Sequence, residues 1–541
     1  MATVITAGAR VNRRDFLRAS ALGGAASFGA ATWARRGNAL TFGEVPTLAQ
    51  SSLLPAALRV ENVLECYLFG GLDPWDSFYC RPGLGEVGGT FAYTAYDHLI
   101  KASEGCGFDN AGSEPFTYFA KDSAQEEIFF GPYMRRLLTR PDVMKRLRVV
   151  ITRHRDVLHE YGSALASTGR AFGNPAGAGL TTHVNRYFVD RDSSSNRVLP
   201  YAYDLSTGGG TFTAGVPIGF AAQGLHPSRA RPLQIRVDDL ARMQRLLARP
   251  NVGTTTERGR YDALIEEYFH QYEQSLRPRA GGEILRAPQF EDLRQAFSKQ
   301  AQTDLIRGVV LENEVAPLMT PAMCRQVVAG LDGEPQFVNG DGTSPGNGGN
   351  LPAMGLALAT RLLTHPTHPA KYCVVSDIGV KQADGGGGYD VHSEGPWRQA
   401  SNLNNLLEHL LGFVNAPGQA DPRKLSLDKT LIILNTEFGR SPGPQSPGRM
   451  GRAHWPHGFA QIYIGGPIRE GGAGCHGHID EAGNATTFAT PAENRIAALL
   501  ALGIYPFDGE GVAFSPADVQ AQTEGAGAAR SVIERIFGLQ V

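Results

Sequence analysis

Short apolar runs that close on glycine or a polar turn recur along the chain, the pattern expected of buried strands in an open α/β sheet. Val60 to Phe69 ends on Gly70-Gly71, and Phe459 to Ile464 ends on Gly465-Gly466. Leu147 to Thr152, Tyr201 to Leu205, Tyr372 to Ser376 and Thr430 to Asn435 have the same character. Helical spacing predicts a short helix over Pro132 to Arg140, a segment helical from near Glu160, and helices at Asn350 to Leu363, Asn402 to Phe413 and, last, Pro491 to Leu502, after which the tail from Ala521 is small and polar until Ser531 to Phe537. In Asn402 to Phe413 the core face is Leu403, Leu406, Leu407, Leu410 and Leu411. Asp238 to Leu247, Arg260 to Leu276 and Asp292 to Val310 alternate apolar and charged residues at helical spacing, and Met319 to Leu331 reads as a further helix. Gly83 to Thr117, Gly208 to Gly219 and Glu334 to Asn350 are glycine-rich without period and predict an insertion, a lid or flexible loop, and a loop. Nothing repeats at a fixed period, which excludes a solenoid or propeller.

Composition narrows the picture. The chain has 541 residues with 51 basic and 53 acidic side chains, so it carries no electrostatic footprint for nucleic acid. Its 66 glycines and 33 prolines suit a loop-rich protein. Six cysteines occur without CxxC spacing, which argues against a zinc-thiolate site, and Cys66 and Cys373 fall inside strand-like runs as buried thiols. At the start, Asn12-Arg13-Arg14-Asp15-Phe16-Leu17-Arg18 resembles a twin-arginine export motif. It precedes the small-residue run Ala19 to Thr32 and a cleavage-like Gly37-Asn38-Ala39. No later segment is long and apolar enough to span a bilayer. The expected organisation is a signal peptide over 1–39, a connector over 40–59, and one domain over 60–541 with a helical insertion at about 237–330. The expected location is periplasmic or secreted.

Candidate chemistry clusters after the predicted strands, where open α/β sheets bind ligands. Asp73 and Asp76 follow the first strand and are read either as metal or substrate contacts or as an Asx-type turn. His154, Asp156, His159, Ser163, Ser167 and Thr168 follow the second, offering a metal ligand and a hydroxyl nucleophile or ordinary capping. Asp390 and His392, two apart after a glycine run, can face one ion if extended, and carboxylate with imidazole suits zinc, manganese or iron. The stretch from Thr430 to Gly466 delivers Glu437, Arg440, Arg452, His454 and His457. His476 and His478 read as part of a glycine-rich hairpin, and His409 as packed against its helix.

Gly70-Gly71-Leu72-Asp73 with Asp76, Tyr389-Asp390-Val391-His392, Thr436-Glu437-Phe438-Gly439-Arg440, Gly451-Arg452-Ala453-His454-Trp455-Pro456 and Gly465-Gly466 together resemble the domain of unknown function 1501 family of exported bacterial proteins. That family is related to sulfatases and alkaline phosphatases. The resemblance spans about Val60 to Val519. It implies an alkaline-phosphatase-like α/β/α sandwich with a central, mostly parallel sheet and divalent ions (zinc, manganese, calcium or magnesium) at strand ends. On that template Asp73 or Asp76, Asp390, His392, Glu437 and His454 would be metal ligands, with His159 and His457 as further imidazoles. Arg440 or Arg452 would clamp an oxyanion, and Ser163 or Thr168 would stand for the nucleophile. This chain departs from the pattern at Ala453, where the family usually has Asp, and at Phe438, where phosphatases have a metal-binding His. No Cys-x-Pro-x-Arg run supplies a sulfatase formylglycine. Two functions are therefore expected in competition. One is a metal-dependent hydrolase of small anionic phosphate or sulfate esters; the other is a non-catalytic extracytoplasmic protein that binds a protein partner on the same scaffold.

Overall fold

Asn62–Leu68 (β1) is buried at every position, as a strand covered on both faces must be. The computed structural model describes residues 42–81, 84, 116–192, 199–207, 219–222, 232–237, scattered positions of 260–275, 326–329, 335–338, 351–379, 388–392, 397–446, 451–507 and 513–541. The further strands that matter for the site are β2 (Leu147–Thr152), β3 (Ala202–Thr207), β4 (Leu233–Val237), β5 (Tyr372–Asp377), β6 (Thr430–Asn435), β7 (Gly439–Pro444), β8 (Arg452–Trp455), β9 (Phe459–Gly465) and β10 (Gly474–His476). The helices used below are α1 (His159–Thr168), α2 (Leu180–Arg191), α3 (Leu351–Leu363), α4 (Trp397–Phe413), α5 (Pro491–Ala501) and α6 (Gly525–Val532).

Eight strands form one sheet in the order β10-β2-β9-β6-β1-β5-β3-β4. Strand β1 is parallel to β6 and β5, β5 to β3, β3 to β4, and β10 to β2. Strand β9 is antiparallel to both neighbours, so the other seven point one way. Alternate residues of β1 enter different cores. Leu64, Cys66 and Leu68 pack with Leu356, Leu403 and Leu406 of α3 and α4, whereas Val63, Tyr67 and Phe69 pack with Val184, Ile496 and Val532 of α2, α5 and α6. The result is the expected α/β architecture, a mostly parallel sheet between two helical layers.

Several boundaries differ from those the pattern predicts. Helix α4 begins at Trp397, before Asn402. Met319 to Leu331 is not a continuous helix: Gln326–Ala329 is a strand paired with Pro335–Val338, inside the expected loop. Val327 and Val328, β-branched and stiff, favour the extended form. Described positions between Arg260 and Ser275 are helical. The expectations at Arg13, Arg14, Gly37 to Ala39, Asp238 to Leu247, Asp292 to Val310, Cys106 and Cys324, and most of Gly83 to Thr117 and Gly208 to Gly219, lie outside the described residues. Among the described residues no helix is long and apolar enough to cross a membrane, and Cys66, Cys80, Cys373 and Cys475 are not in disulfides.

Glu65 and Asp204 are buried carboxylates inside the sheet. Glu65, in the middle of β1, is met by both oxygens against Arg495 Nη1 of α5 at 2.8 and 2.7 Å. Asn435 Nδ2 donates to it at 2.6 Å, and the Tyr372 hydroxyl donates as well. Asp204 in β3 has no such cation among the described residues; Gln234 Nε2 donates to its Oδ2 at 3.2 Å. Burial pushes the Asp204 carboxyl up to about 8. The folded chain then holds a proton that the unfolded chain has released, so this group's contribution to stability is present at low pH and is lost as pH rises from about 4 to about 8. Asp204→Asn should remove that slope. Unfolding midpoints taken from pH 4 to 9 should converge toward pH 4, with the variant more stable at pH 9 by on the order of a few kcal/mol.

Candidate metal centre

The C-terminal edge of the parallel strands gathers the chemistry. Strand β1 leads into Gly70-Gly71, β2 into His154 and His159, β5 into the segment bearing Asp390, and β6 into Glu437. Because β9 runs the other way, its start lies on this same edge, and the β7/β8 hairpin before it brings Arg440 opposite His454. Backbone clearance is small. Gly70, at φ +118°, passes so close to Asp390 that an added Cβ would lie 2.1 Å from its backbone nitrogen, which restricts this position to glycine.

Asp390, 1% exposed, is the focus. His159 Nε2 stands 3.2 Å from its Oδ2, while His454 Nε2 and His392 Nε2 each stand 2.9 Å from its Oδ1. Arg440 Nη2 is paired with Oδ1 from the buried side. Burial alone would raise this carboxyl, yet the three histidines and Arg440 hold it well below the usual range. His159, Asp390 and His454 each offer one ligand atom, and the three atoms lie within 4.8 Å of one another, a group that could hold a metal ion.

Each imidazole is held by its far nitrogen. His159 Nδ1 lies 2.9 Å from Glu437 Oε1, His454 Nδ1 lies 2.7 Å from the Val157 carbonyl, and His392 Nδ1 lies 2.6 Å from Gln445 Oε1. A carbonyl and a carboxylate only accept, so Nδ1 of His454 and His159 carries the proton. Their Nε2 lone pairs, in the neutral form, then face the oxygens of Asp390, acceptor against acceptor. A cation between them resolves the conflict, and anchoring of the far nitrogen by a carboxylate or carbonyl is how metal-bound histidines are oriented. Without a metal, a proton does part of this work: burial would lower His159, but Asp390 and Glu437 outweigh it and lift it to about 9. His454 is lowered, by burial first. The donor set, imidazole with carboxylate, fits zinc or manganese better than calcium or magnesium, which prefer oxygen alone.

The remaining candidates take distinct places. Glu437 is fully buried and reaches the centre through His159; its Oε1 also accepts from Gly70 N at 2.7 Å and its Oε2 from the Tyr67 hydroxyl at 3.0 Å. Asp73 and Asp76 sit apart from the histidines with Arg452, whose Nε is 2.9 Å from Asp73 Oδ2 and whose Nη2 is 3.4 Å from Asp76 Oδ2. Burial and the neighbouring Asp73 push Asp76 up, and Arg452 pulls it back. Arg440 and Arg452 both face inward, Arg440 Nη1 donating to the Arg452 carbonyl at 3.0 Å and Arg452 Nη1 to the Pro442 carbonyl at 2.7 Å. Ser163 is linked to the centre indirectly, since the Tyr67 hydroxyl lies 2.9 Å from its Oγ. Thr168 donates to the Ala164 carbonyl at 2.7 Å, and His457 packs against Trp455 away from Asp390.

Phe438 stacks on His454 with ring centroids 4.3 Å apart and lies 5.2 Å from the His159 ring, an apolar wall under both. His154 Nε2, 2.5 Å from the Glu437 carbonyl, pins the chain beneath. The sequence pattern did not single out Tyr67, Gln399 or Gln445. Gln399 accepts from Asp73 N at 2.9 Å and donates to the Gly71 and Tyr389 carbonyls at 2.8 and 2.6 Å, tying three site loops together. It lies upstream of the leucine face by which α4 is recognised, so periodicity carries no signal for it. Beside His159 lies a cavity of about 250 Å³ whose walls include Phe69, Ser163, Ala164, Thr168 and Phe172.

The family described as Protein of unknown function (DUF1501) matches residues 379–502, a span that holds Asp390, His392, Glu437 and His454 and leaves out His159. No curated protein and no solved structure matches the chain.

Proposed function

We propose that the chain is a metal-dependent hydrolase of phosphate or sulfate esters, with one divalent ion held by His159, Asp390 and His454 and with His392 beside them. The observation that carries the reading is the cluster itself: two imidazoles anchored at Nδ1 by Glu437 and the Val157 carbonyl turn Nε2 toward one buried carboxylate, and the three ligand atoms lie within 4.8 Å of one another. A bound ion would supply a Lewis acid for the ester oxygens and lower the pKa of a bound water. Arg440 keeps Asp390 ionised, Glu437 and the Val157 carbonyl orient the two rings, and Phe438 excludes water from their underside. Tyr67 stands between Ser163 Oγ and Glu437 Oε2, so a proton leaving Ser163 can pass to Tyr67 as the Tyr67 proton passes to Glu437. We favour one ion over the two that the phosphatase resemblance implies, because Asp73 and Asp76 are already paired with Arg452. The extracytoplasmic location rests on the twin-arginine segment at Arg13 and Arg14.

Purified protein stripped with chelator and reloaded with zinc or manganese should bind one equivalent and turn over aryl phosphate or aryl sulfate esters. His159→Ala and His454→Ala should each lose at least about tenfold in metal affinity or activity, since even outer partners of a metal site cost that much. Ser163→Ala then separates attack by the serine, where turnover is lost, from attack by water, where it is kept. Protein that stays metal-free under reloading and turns over no ester overturns the reading. The inward arginines favour the second reading, a non-catalytic module that recruits a protein partner, because neither Arg440 nor Arg452 is aimed outward at a substrate anion. Partner capture that survives Asp390→Asn, with no hydrolysis, would establish it.

A further inference from the structure

Helix α1 lines the cavity along its length, from His159 at the metal centre through Ser163 and Ala164 to Thr168. Across from it stand Phe69, Phe172 and Gly219. The two hydroxyls on this helix are engaged within the protein, Ser163 with Tyr67 and Thr168 with the Ala164 carbonyl. The interior is thus mainly hydrocarbon, and a space of that kind has too few polar partners to hold ordered water. The lining also includes the exposed Glu160 and Asn174. Phe172, which lines the cavity, is 60% exposed and lies edge-on to Tyr161 at 5.3 Å. A large aromatic side chain left exposed at a cavity wall is apolar surface available to a ligand.

From this arrangement we infer that the cavity beside His159 receives the apolar alcohol part of the substrate, which makes the substrate class aryl or short branched alkyl monoesters. The inference rests on the hydrolase reading above for the ester itself, and on the cavity alone for the apolar group. Size supports it: an apolar cavity of roughly 150 Å³ accepts benzene, so about 250 Å³ accommodates a fused bicyclic ring. A methyl or glyceryl ester would leave the hydrocarbon walls uncovered. The anionic end then belongs at the His159 end of the cavity, where the walls change from hydrocarbon to imidazole.

The test uses the full chain and 1-naphthol, followed by fluorescence titration with and without zinc. Saturable binding of one equivalent is expected in both states, weakened at least about tenfold by Ala164→Phe, which fills the space, with metal content unchanged. Phe172→Ala, at an exposed position, should weaken binding in the same direction and covers the case in which the larger side chain prevents folding. In turnover, 1-naphthyl phosphate or sulfate should exceed the methyl ester in kcat/KM by at least about tenfold, a preference that Ala164→Phe reduces. Absence of saturable naphthol binding, or binding unchanged by both variants, overturns the inference. Hydrolysis without aryl preference does the same while leaving the hydrolase reading intact. Naphthol binding with no hydrolysis of any ester removes the hydrolase reading and leaves the apolar site standing.

Discussion

Asp390→Ala is expected to abolish binding of a divalent ion and, separately, to destabilise the fold by about 3–5 kcal/mol. Arg440 is 1% exposed, and its guanidinium otherwise meets the carbonyls of Gly70, Gly71, Val391 and Arg452. Removal of Asp390 leaves that cation buried without its anion. His454→Ala should also lose the ion, but with a much smaller loss of stability, because its ring is partly exposed and its removal leaves Asp390 paired with Arg440. Metal content and urea unfolding of the two variants, measured side by side, give the comparison. An alanine variant of Asp390 that keeps either the ion or the wild-type unfolding midpoint would contradict the assignment of Asp390 to both tasks.

The second large effect lies beneath the site. Arg495→Ala should cost about 3–5 kcal/mol, the usual consequence of stranding one half of a buried ion pair. The stranded half is Glu65, fully buried in the central strand, with Tyr372 and Asn435 as its remaining donors. Combining Arg495→Met with Glu65→Gln should recover much of the loss, since apolar or neutral replacement of both partners avoids the isolated charge. Denaturant titration of the single and double variants measures the coupling. Equal destabilisation of both would mean that packing of the arginine stem, rather than its charge, holds α5 on the sheet.

Much of the sheet can be read from the sequence because its strands are buried on both faces. Leu147 to Thr152 and Thr430 to Asn435 are apolar runs whose ends coincide with β2 and β6. Strand β4 escapes, since Leu-Gln-Ile-Arg-Val at the sheet edge alternates and is too short to stand out. Helix α2 escapes for a different reason: it buries Thr181, Thr182, His183 and Asn185, polar residues that mask its inward face. At the site, residue types are visible in sequence while partnerships are not. Asp73, Asp76 and Asp390 all follow strands with nearby glycines, and only the folded geometry assigns Arg452 to the first two and the histidines to the third. Glu437 likewise sits in a recognisable motif, but its role behind His159 depends on a contact 278 residues away in sequence.

The reversed direction of β9 has a consequence for the time course of folding. Strands β6 and β9 are adjacent and antiparallel, so the hairpin bearing Arg440 and His454 closes between neighbours in sequence. Loop closure at such short separation costs little entropy. Asp390 joins His454 from 64 residues away, and His159 joins Asp390 from 231. By sequence separation alone, the hairpin residues are expected to meet early and His159 last, so that the His159-Asp390-His454 cluster would be completed as α1 docks against the sheet.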